Sequence, residues 1–422
     1  MNTYMANAPH FLPYGRHQID QQDIDAVASV LGSDFLTSGP AVERFEAALA
    51  KKVGAKHAVA CSSGTAALHL ALMALDIGPG RSVLVPSITF LATANAARFL
   101  GAGVRFVDVD PSTGLSECKH FKEALSEMSG LAAALLPVHL GGQTANLSDI
   151  SNLANRHSLP VIEDGSHALG SAYSGSRVGA CRHSLMTTFS FHPVKTIAMG
   201  EGGAVTTNDD TLATRLRKLR NHGIVREAEE FQNRDLAFAD GDCNGNANPW
   251  YYEMQGLGFN YRASDIQCAL GESQLTKLEE FVEKRRLLSR LYDTEIARLA
   301  PFVRPVSRTD KCVPAWHLYQ VLIDFRSLNI SRAAFIRHLL GLGIGTQVHY
   351  IPVHLQPYYS NLYPDCRLAG ALSFYESTLS LPLHVNMSSK DVGFVASCLG
   401  NLIVQSQTTL NSAGDNGQIH YI

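Results

Sequence analysis

Lys195 stands five residues after Ser190 in the run SFHPVKTIAMGEGGA (190–204), between two short β-like stretches and beside glycine-rich sequence. A lysine in such a loop can condense with a carbonyl compound, although a lone loop lysine is ordinarily a solvated surface amine. A second feature changes that reading. The run IEDGSHALG (162–170) puts Asp164 at the carboxyl end of a predicted strand, and in open α/β sheets ligands collect outside those ends. Asp164 and Lys195 would then face one crevice. A third feature is CSSGTAALHLAL (61–72), a strand, then Ser-Ser-Gly-Thr, then a helix. Backbone N–H groups at a helix N-terminus, with Gly64 permitting close approach and Thr65 beside it, make an anion site. Taken alone that motif also reads as a plain N-cap, but Ser190 can add a hydroxyl to the same anion.

An amine, a carboxylate and a phosphate cradle together are what pyridoxal 5′-phosphate (PLP) requires. The cofactor draws electrons only while its pyridine nitrogen stays protonated, which a nearby carboxylate enforces by opposite charge. Asp164 is the candidate. Lys195 would hold the cofactor as a Schiff base, be displaced by an amino donor, and as a free amine carry the proton of the transfer. Phe90, which ends SVLVPSITF (82–90), can stack on the ring, although a core aromatic is the commoner role for such a residue.

These residues need a sheet to position them. From about 57 to 210, short apolar β-branched runs alternate with longer amphipathic ones, the pattern of βα units around a mostly parallel sheet. The predicted strands are HAVAC (57–61), SVLVP (82–86), VRFVDV (104–109), AAALLPV (132–138), LPVIED (159–164), MTTFSF (186–191) and GGAVTT (202–207). The fold class is therefore α/β, a mostly parallel seven-stranded sheet in a large domain over 1–270. Residues 210–298 read as helices broken by a polar surface loop at 226–249. The amphipathic run SQLTKLEEFVEKRRLLSRLYDTEIARL (273–299) links to a smaller α+β C-terminal domain, 271–404. In it WHLYQVLIDF and IGTQVHYI read as strands with SRAAFIRHLLGLG a helix between them. The polar residues 405–422 read as a loose tail.

Composition excludes several other functions. A formal net charge of -3, without a long Lys/Arg block, leaves no electrostatic footprint for nucleic acid or anionic lipid. Eight cysteines lie far apart with neither a CxxC pair nor zinc-like spacing, so no metal is expected and the thiols read as reduced. The start MNTYMANAPHFLPYGRHQ has no basic region followed by an apolar one, and the apolar runs fall short of the ~20 residues a membrane span needs. A cytoplasmic enzyme acting on small molecules is the expectation.

Together the runs FLPYGRHQI, DFLTSGP, SSGTAALHLAL, SFHPVKTIAMGEGGA, PWYYEMQGLGFNYRASDIQCALGESQL and GIGTQVHYIPVH resemble the DegT/DnrJ/EryC1/StrS family of nucleotide-sugar aminotransferases, from about Tyr14 to about residue 400. The resemblance implies the type I PLP-dependent aminotransferase fold. It makes Lys195 the Schiff-base lysine and Asp164 the partner of the pyridine nitrogen. It sets His167 near the cofactor's phenolic oxygen, Gly64, Thr65 and Ser190 on the phosphate, and Asn260 reaching in from a second subunit of a homodimer. Tyr14, Asp34, Phe35, Leu36 and Thr37, with Gln347, Val348, His349 and Tyr350, would touch the nucleotide sugar, and His354 would lie nearby. Each also has a plain structural reading: a docked terminal aromatic for Tyr14, loop histidines for His349 and His354, a turn residue for Asn260. The substrates implied are L-glutamate and a nucleotide-linked, UDP-type keto sugar, with two half-reactions in turn.

One step departs from the family pattern. Gly165 and Ser166 stand where a pair of alanines is common, and both are still small. Family members that dehydrate their sugar have histidine at the lysine position, so Lys195 favours transamination over that rival. A sensor that has lost its chemistry would have no need of Lys195 and Asp164. A nicotinamide-dependent enzyme would need GxGxxG after the first strand, which is missing.

Overall fold

The computed structural model describes residues 11–128, 130–238 and 245–415. Seven strands form the central sheet: β1 (His57–Cys61), β2 (Ser82–Pro86), β3 (Gly103–Val107), β4 (Ala132–Leu135), β5 (Ile162–Asp164), β6 (Met186–Ser190) and β7 (Gly203–Thr207). β3, β2 and β4 pair in parallel, as do β5 and β6. Bridges Leu135–Val161 and Val138–Asp164 join β4 to β5 in parallel. β7 runs antiparallel to both β6 and β1. The spatial order is β3-β2-β4-β5-β6-β7-β1, the mostly parallel seven-stranded sheet expected from the sequence. Its strands are nearly all buried, because helices cover both faces and leave no side free for polar alternation.

Four helices belong to the site's scaffold: α1 (Gln21–Leu31), α2 (Pro40–Val53), α3 (Gly64–Met73) and α4 (Leu91–Phe99). α3 begins where Ser63 Oγ accepts the N–H of Ala66 at 3.1 Å, and it is buried over almost its whole length against β6 and β7. The helix Asp265–Thr276 starts with a reciprocal cap between Ser264 and Gln267. Its Asp265 carboxylate accepts the N–H groups of Gly39 at 2.7 Å and Ala41 at 2.9 Å, which fixes the start of α2. The segment 34–37 is thereby laid along this helix, with Asp265 N–H on the Leu36 carbonyl.

The long helix Leu278–Ile296 passes to the smaller C-terminal unit, where β8 (Val303–Pro305), β9 (Tyr319–Ile323) and β10 (Thr378–Leu381) pair antiparallel in the order β8-β9-β10. Leu288, Tyr292, Tyr319, Val321, Phe335, Leu379 and Leu399 form its core. Here one expectation fails. IGTQVHYI is not a strand; it touches its neighbours at two isolated bridges, Leu12–Ile344 and Gln347–Ser380. Its consecutive residues Gln347 to Ile351 line a cavity, and the ladder partner of β9 is TLSL instead.

Of the expected loop at 226–249, the described residues gather on a small core of Val225, Phe231 and Ala237, and 239–244 lie outside the described residues. The Glu253 carboxylate gathers it by accepting the N–H groups of Gln232 and Asn233. The last helix, Ser389–Asp415, extends into the segment read as a tail, and 416–422 lie outside the described residues. No helix among the described residues is long and apolar enough to cross a membrane.

Candidate active site

The carboxyl ends of β1, β2, β4, β5 and β6 converge on a cavity of about 670 Å³, within the usual range for small-molecule sites. Its wall includes Lys195, Asp164, His167, Ser190, Gly64, Thr65, Phe90 and Tyr14, together with Gln347, Val348, His349 and Tyr350. The sequence had set these twelve residues far apart. The strand ends bring the first seven together, and the small unit's segment 347–350 closes the opposite wall.

Lys195 is carried on a loop pinned at both ends. Phe191 N–H bonds the Gly202 carbonyl at 2.9 Å, Met199 N–H bonds the Phe191 carbonyl at 2.8 Å, and Lys195 N–H bonds the His192 carbonyl at 2.8 Å. The ammonium has no hydrogen-bond or ion-pair partner among the described residues. Burial lowers its pKa from the ordinary lysine value to about 8, against the opposing pull of Asp164. A lysine so placed is a usable nucleophile and base near neutral pH.

Asp164 ends β5, and its carboxylate is 4% exposed. Thr93 Oγ1 donates to Oδ2 at 2.8 Å, and Ser166 N–H donates to Oδ1 at 3.1 Å. Thr89 and Thr93 share a hydroxyl contact of 2.7 Å behind it. The strand itself is held by Asp164 N–H on the Pro137 carbonyl and His139 N–H on the Asp164 carbonyl. A buried charge with donors on both oxygens is a fixed counter-ion.

The first turn of α3 faces Ser190. A Cβ on Gly64 would stand 2.6 Å from Ser190 Cβ, and one on Gly203 would stand 2.2 Å from the Ser63 carbonyl oxygen. Both glycines are needed for this close approach of two strands and a helix start. The N–H groups of Gly64 and Thr65 and the Ser190 hydroxyl border the cavity, the donor set a phosphate takes at a helix N-terminus. With an isolated amine and a fixed carboxylate on the same cavity, the residues fit a phosphorylated pyridine aldehyde.

Three of the histidines on the wall, His167, His317 and His349, are held neutral. Burial is the largest cause for each, and the Lys195 charge adds to it; His349 is driven to about 3 and His167 and His317 well below the ordinary imidazole value. His349 Nδ1 bonds Ser380 Oγ at 2.8 Å. His167 and His317 lie 4.4 Å apart between ring centroids.

Other sequence candidates lie elsewhere. Asp34, Phe35, Leu36 and Thr37 are exposed outside this cavity. Asn260 is exposed too, on a loop whose neighbour Tyr261 accepts the Ser62 N–H at 2.8 Å. His354 is buried against β2, with Nδ1 2.6 Å from Ser87 Oγ, and is not part of the cavity wall. The sequence reading missed Thr93, His317, His192 and Glu201, which do line it. Thr93 sits in an alanine-rich helix with no motif around it; only placing α4 beside β5 reveals it.

Residues 17–400 match the model of the DegT/DnrJ/EryC1/StrS aminotransferase family. The chain is 38% identical over 392 residues to a UDP-4-amino-4,6-dideoxy-N-acetyl-beta-L-altrosamine transaminase of Campylobacter jejuni, covering 93% of this chain and 97% of that one. It is 37% identical to the spore coat polysaccharide biosynthesis protein SpsC of Bacillus subtilis, with the same coverages. Among solved structures it is similar to Helicobacter pylori PseC, an aminotransferase involved in the biosynthesis of pseudoaminic acid, with TM-score 0.84, 29% identity and coverage of 94% of this chain and 100% of that one. The convergence of strand ends on an isolated lysine and a fixed aspartate is thus accompanied by a match along almost the whole chain: it belongs to the DegT/DnrJ/EryC1/StrS aminotransferase family.

Proposed function

We propose that this enzyme uses PLP to move an amino group from L-glutamate to C4 of a nucleotide-linked 4-keto-6-deoxy sugar. The acceptor proposed is UDP-2-acetamido-2,6-dideoxy-β-L-arabino-hex-4-ulose, a step of pseudaminic acid synthesis. The observation that carries the reading is Lys195, partnerless and lowered to about 8, on one cavity with the Thr93-bonded carboxylate of Asp164. The Campylobacter relative's identity over 93% of the chain supports the choice of sugar.

Bound PLP supplies an aldehyde for amines to condense with and a cationic ring that takes up electron density from the substrate carbon. Lys195 Nζ holds the cofactor at rest and, once displaced, lifts the proton from the donor's Cα and later delivers one to the sugar's C4. Asp164 keeps the ring nitrogen cationic, and Thr93 and Ser166 hold the Asp164 carboxylate in place. Gly64, Thr65 and Ser190 hold the phosphate, and Phe90 covers the ring. Tyr14 and the segment 347–350 meet the sugar.

Among the described residues the cavity wall has one Lys or Arg side chain, Lys195. A nucleotide diphosphate and the carboxylates of glutamate therefore draw positive charge from beyond it, which supports a homodimer with shared sites. The exposed Asn260 and segment 34–37 would add hydrogen-bonding and apolar contacts from the second subunit, and the positive charge would come from other residues. The test is to incubate the purified protein with L-glutamate and a panel of UDP-, GDP- and dTDP-4-keto sugars, following 2-oxoglutarate and the amino sugar. Conversion of the UDP-linked acetamido sugar ahead of the others is expected; no transamination of any of them would end the reading.

A further inference from the structure

A backbone group fixes the tautomer of His167, and through it the direction of a phenol in the cavity. Gly141 N–H points at His167 Nδ1 at 3.2 Å. An amide N–H only donates, so Nδ1 is the bare nitrogen. Burial, with Lys195 and His349 adding to it, keeps the ring neutral, and its one proton is therefore on Nε2. Nε2 lies 3.1 Å from Tyr350 Oη. The imidazole donates and the phenol oxygen accepts. Tyr350's own proton is left over, with no acceptor among the described residues, and burial holds the phenol in its protonated form.

The turn that supplies the amide is itself fixed. Gly141 has φ +67°, and a Cβ there would stand 2.9 Å from Gln320 Oε1. Its carbonyl accepts His317 N–H at 2.9 Å, while Gln320 Nε2 bonds the His349 carbonyl at 3.1 Å. Both ends of the chain Gly141–His167–Tyr350 are thus tied to the small unit. Tyr350 stands 6.1 Å from the Phe90 ring, between centroids. The ionisable groups facing this cluster are Tyr14, Asp164, Lys195, His317 and His349.

We infer that Tyr350 is the hydroxyl donor of this cavity, giving its proton to an electron-rich oxygen of the bound ligand, and that His167 is a positioning residue acting through it. This rests on reading the site as a PLP enzyme. It reassigns the role that the sequence gave to His167, whose donor hydrogen is already engaged. The recipient is either the cofactor's phenolic oxygen or the sugar's keto oxygen, both of which present a lone pair to a phenol.

The experiment compares wild type, Tyr350→Phe, His167→Gln, His167→Leu and the Tyr350→Phe/His167→Leu double variant. Each is loaded with PLP, and the visible absorption of the resting protein is titrated against pH. If the phenolic oxygen is the recipient, Tyr350→Phe raises the midpoint by about one pH unit, because a donor to the oxygen anion is lost. His167→Leu moves it the same way, the double variant adds nothing further, and His167→Gln, which can still accept from Gly141 and donate to Tyr350, stays near wild type. If the keto oxygen is the recipient, the midpoint stays put, and Tyr350→Phe slows reaction with the keto sugar at least about tenfold while leaving reaction with glutamate alone. The inference is overturned if Tyr350→Phe changes neither, or if His167→Leu moves the midpoint and Tyr350→Phe does not. Wild type that develops no new absorption band with PLP would instead sink the functional reading beneath it.

Discussion

The lowered pKa of Lys195 makes a prediction that needs no substrate. With a pKa of about 8, about one-tenth of the lysine is free amine at pH 7, against about one part in three thousand for an ordinary lysine, a gain of about 300-fold. The apo protein mixed with PLP in a stopped-flow cell should therefore form its absorbing adduct with a rate that climbs about tenfold per pH unit from about pH 6 and levels off above about pH 8. Asp164→Asn sharpens the test. The Asp164 charge favours the ammonium and so opposes the effect of burial; removing it lowers the lysine further. The variant should capture PLP faster than wild type at pH 7 and level off at lower pH, while its transamination rate collapses because the ring nitrogen has lost its counter-ion. A capture rate that keeps rising to about pH 10 in wild type would show that the amine is solvated, and the reasoning would be refuted.

Other outcomes follow from single contacts. Lys195→Ala should lose all turnover and the adduct band, with folding intact by circular dichroism. Thr93→Val removes the 2.8 Å bond to the buried Asp164 carboxylate. A hydrogen bond to a charged group contributes about 1.5–3 kcal/mol to stability, so the thermal midpoint should fall by a few degrees, on the order of 2 °C per kcal/mol, and kcat should fall with the loosened carboxylate. Gly64→Ala puts a methyl 2.6 Å from Ser190 Cβ, and equilibrium dialysis should show a weaker hold on PLP, with Lys195 still reactive toward small aldehydes. Mixing Asn260→Ala with Lys195→Ala chains should restore activity in heterodimers; no restoration would count against shared sites.

The large domain was legible because its signals are local. β1 and β2 coincide with the predicted runs 57–61 and 82–86, each β-branched and bounded by turn residues. The run predicted as 132–138 stops as a ladder at Leu135, since Pro137 has no N–H to pair. Lys195, Asp164 and Ser190 could be read because each follows a strand whose end is marked by composition. IGTQVHYI misled for a physical reason: a β-branched and aromatic run suits any extended segment, and this one spends its residues on a cavity wall, meeting its neighbours only at isolated bridges. Thr93 was invisible, since a hydroxyl in the first turn of an alanine-rich helix gains meaning only from what packs on it. Asp34 to Thr37, exposed here, and His354, bonded to Ser87, came from the family likeness alone.

β7 is the one strand of the sheet that runs against its neighbours. The chain leaving β6 with Lys195 therefore turns back into the sheet between β6 and β1, so the amine rides on a hairpin loop held at both ends by backbone hydrogen bonds. The segments proposed to meet the sugar, the N-terminal stretch at Tyr14 and 347–350, line the opposite wall of the cavity. Substitutions in the N-terminal stretch can recast which ketone is accepted while the loop that carries Lys195 stays pinned in the sheet, and a scaffold divided in this way lets new acceptors be acquired while the old chemistry is kept.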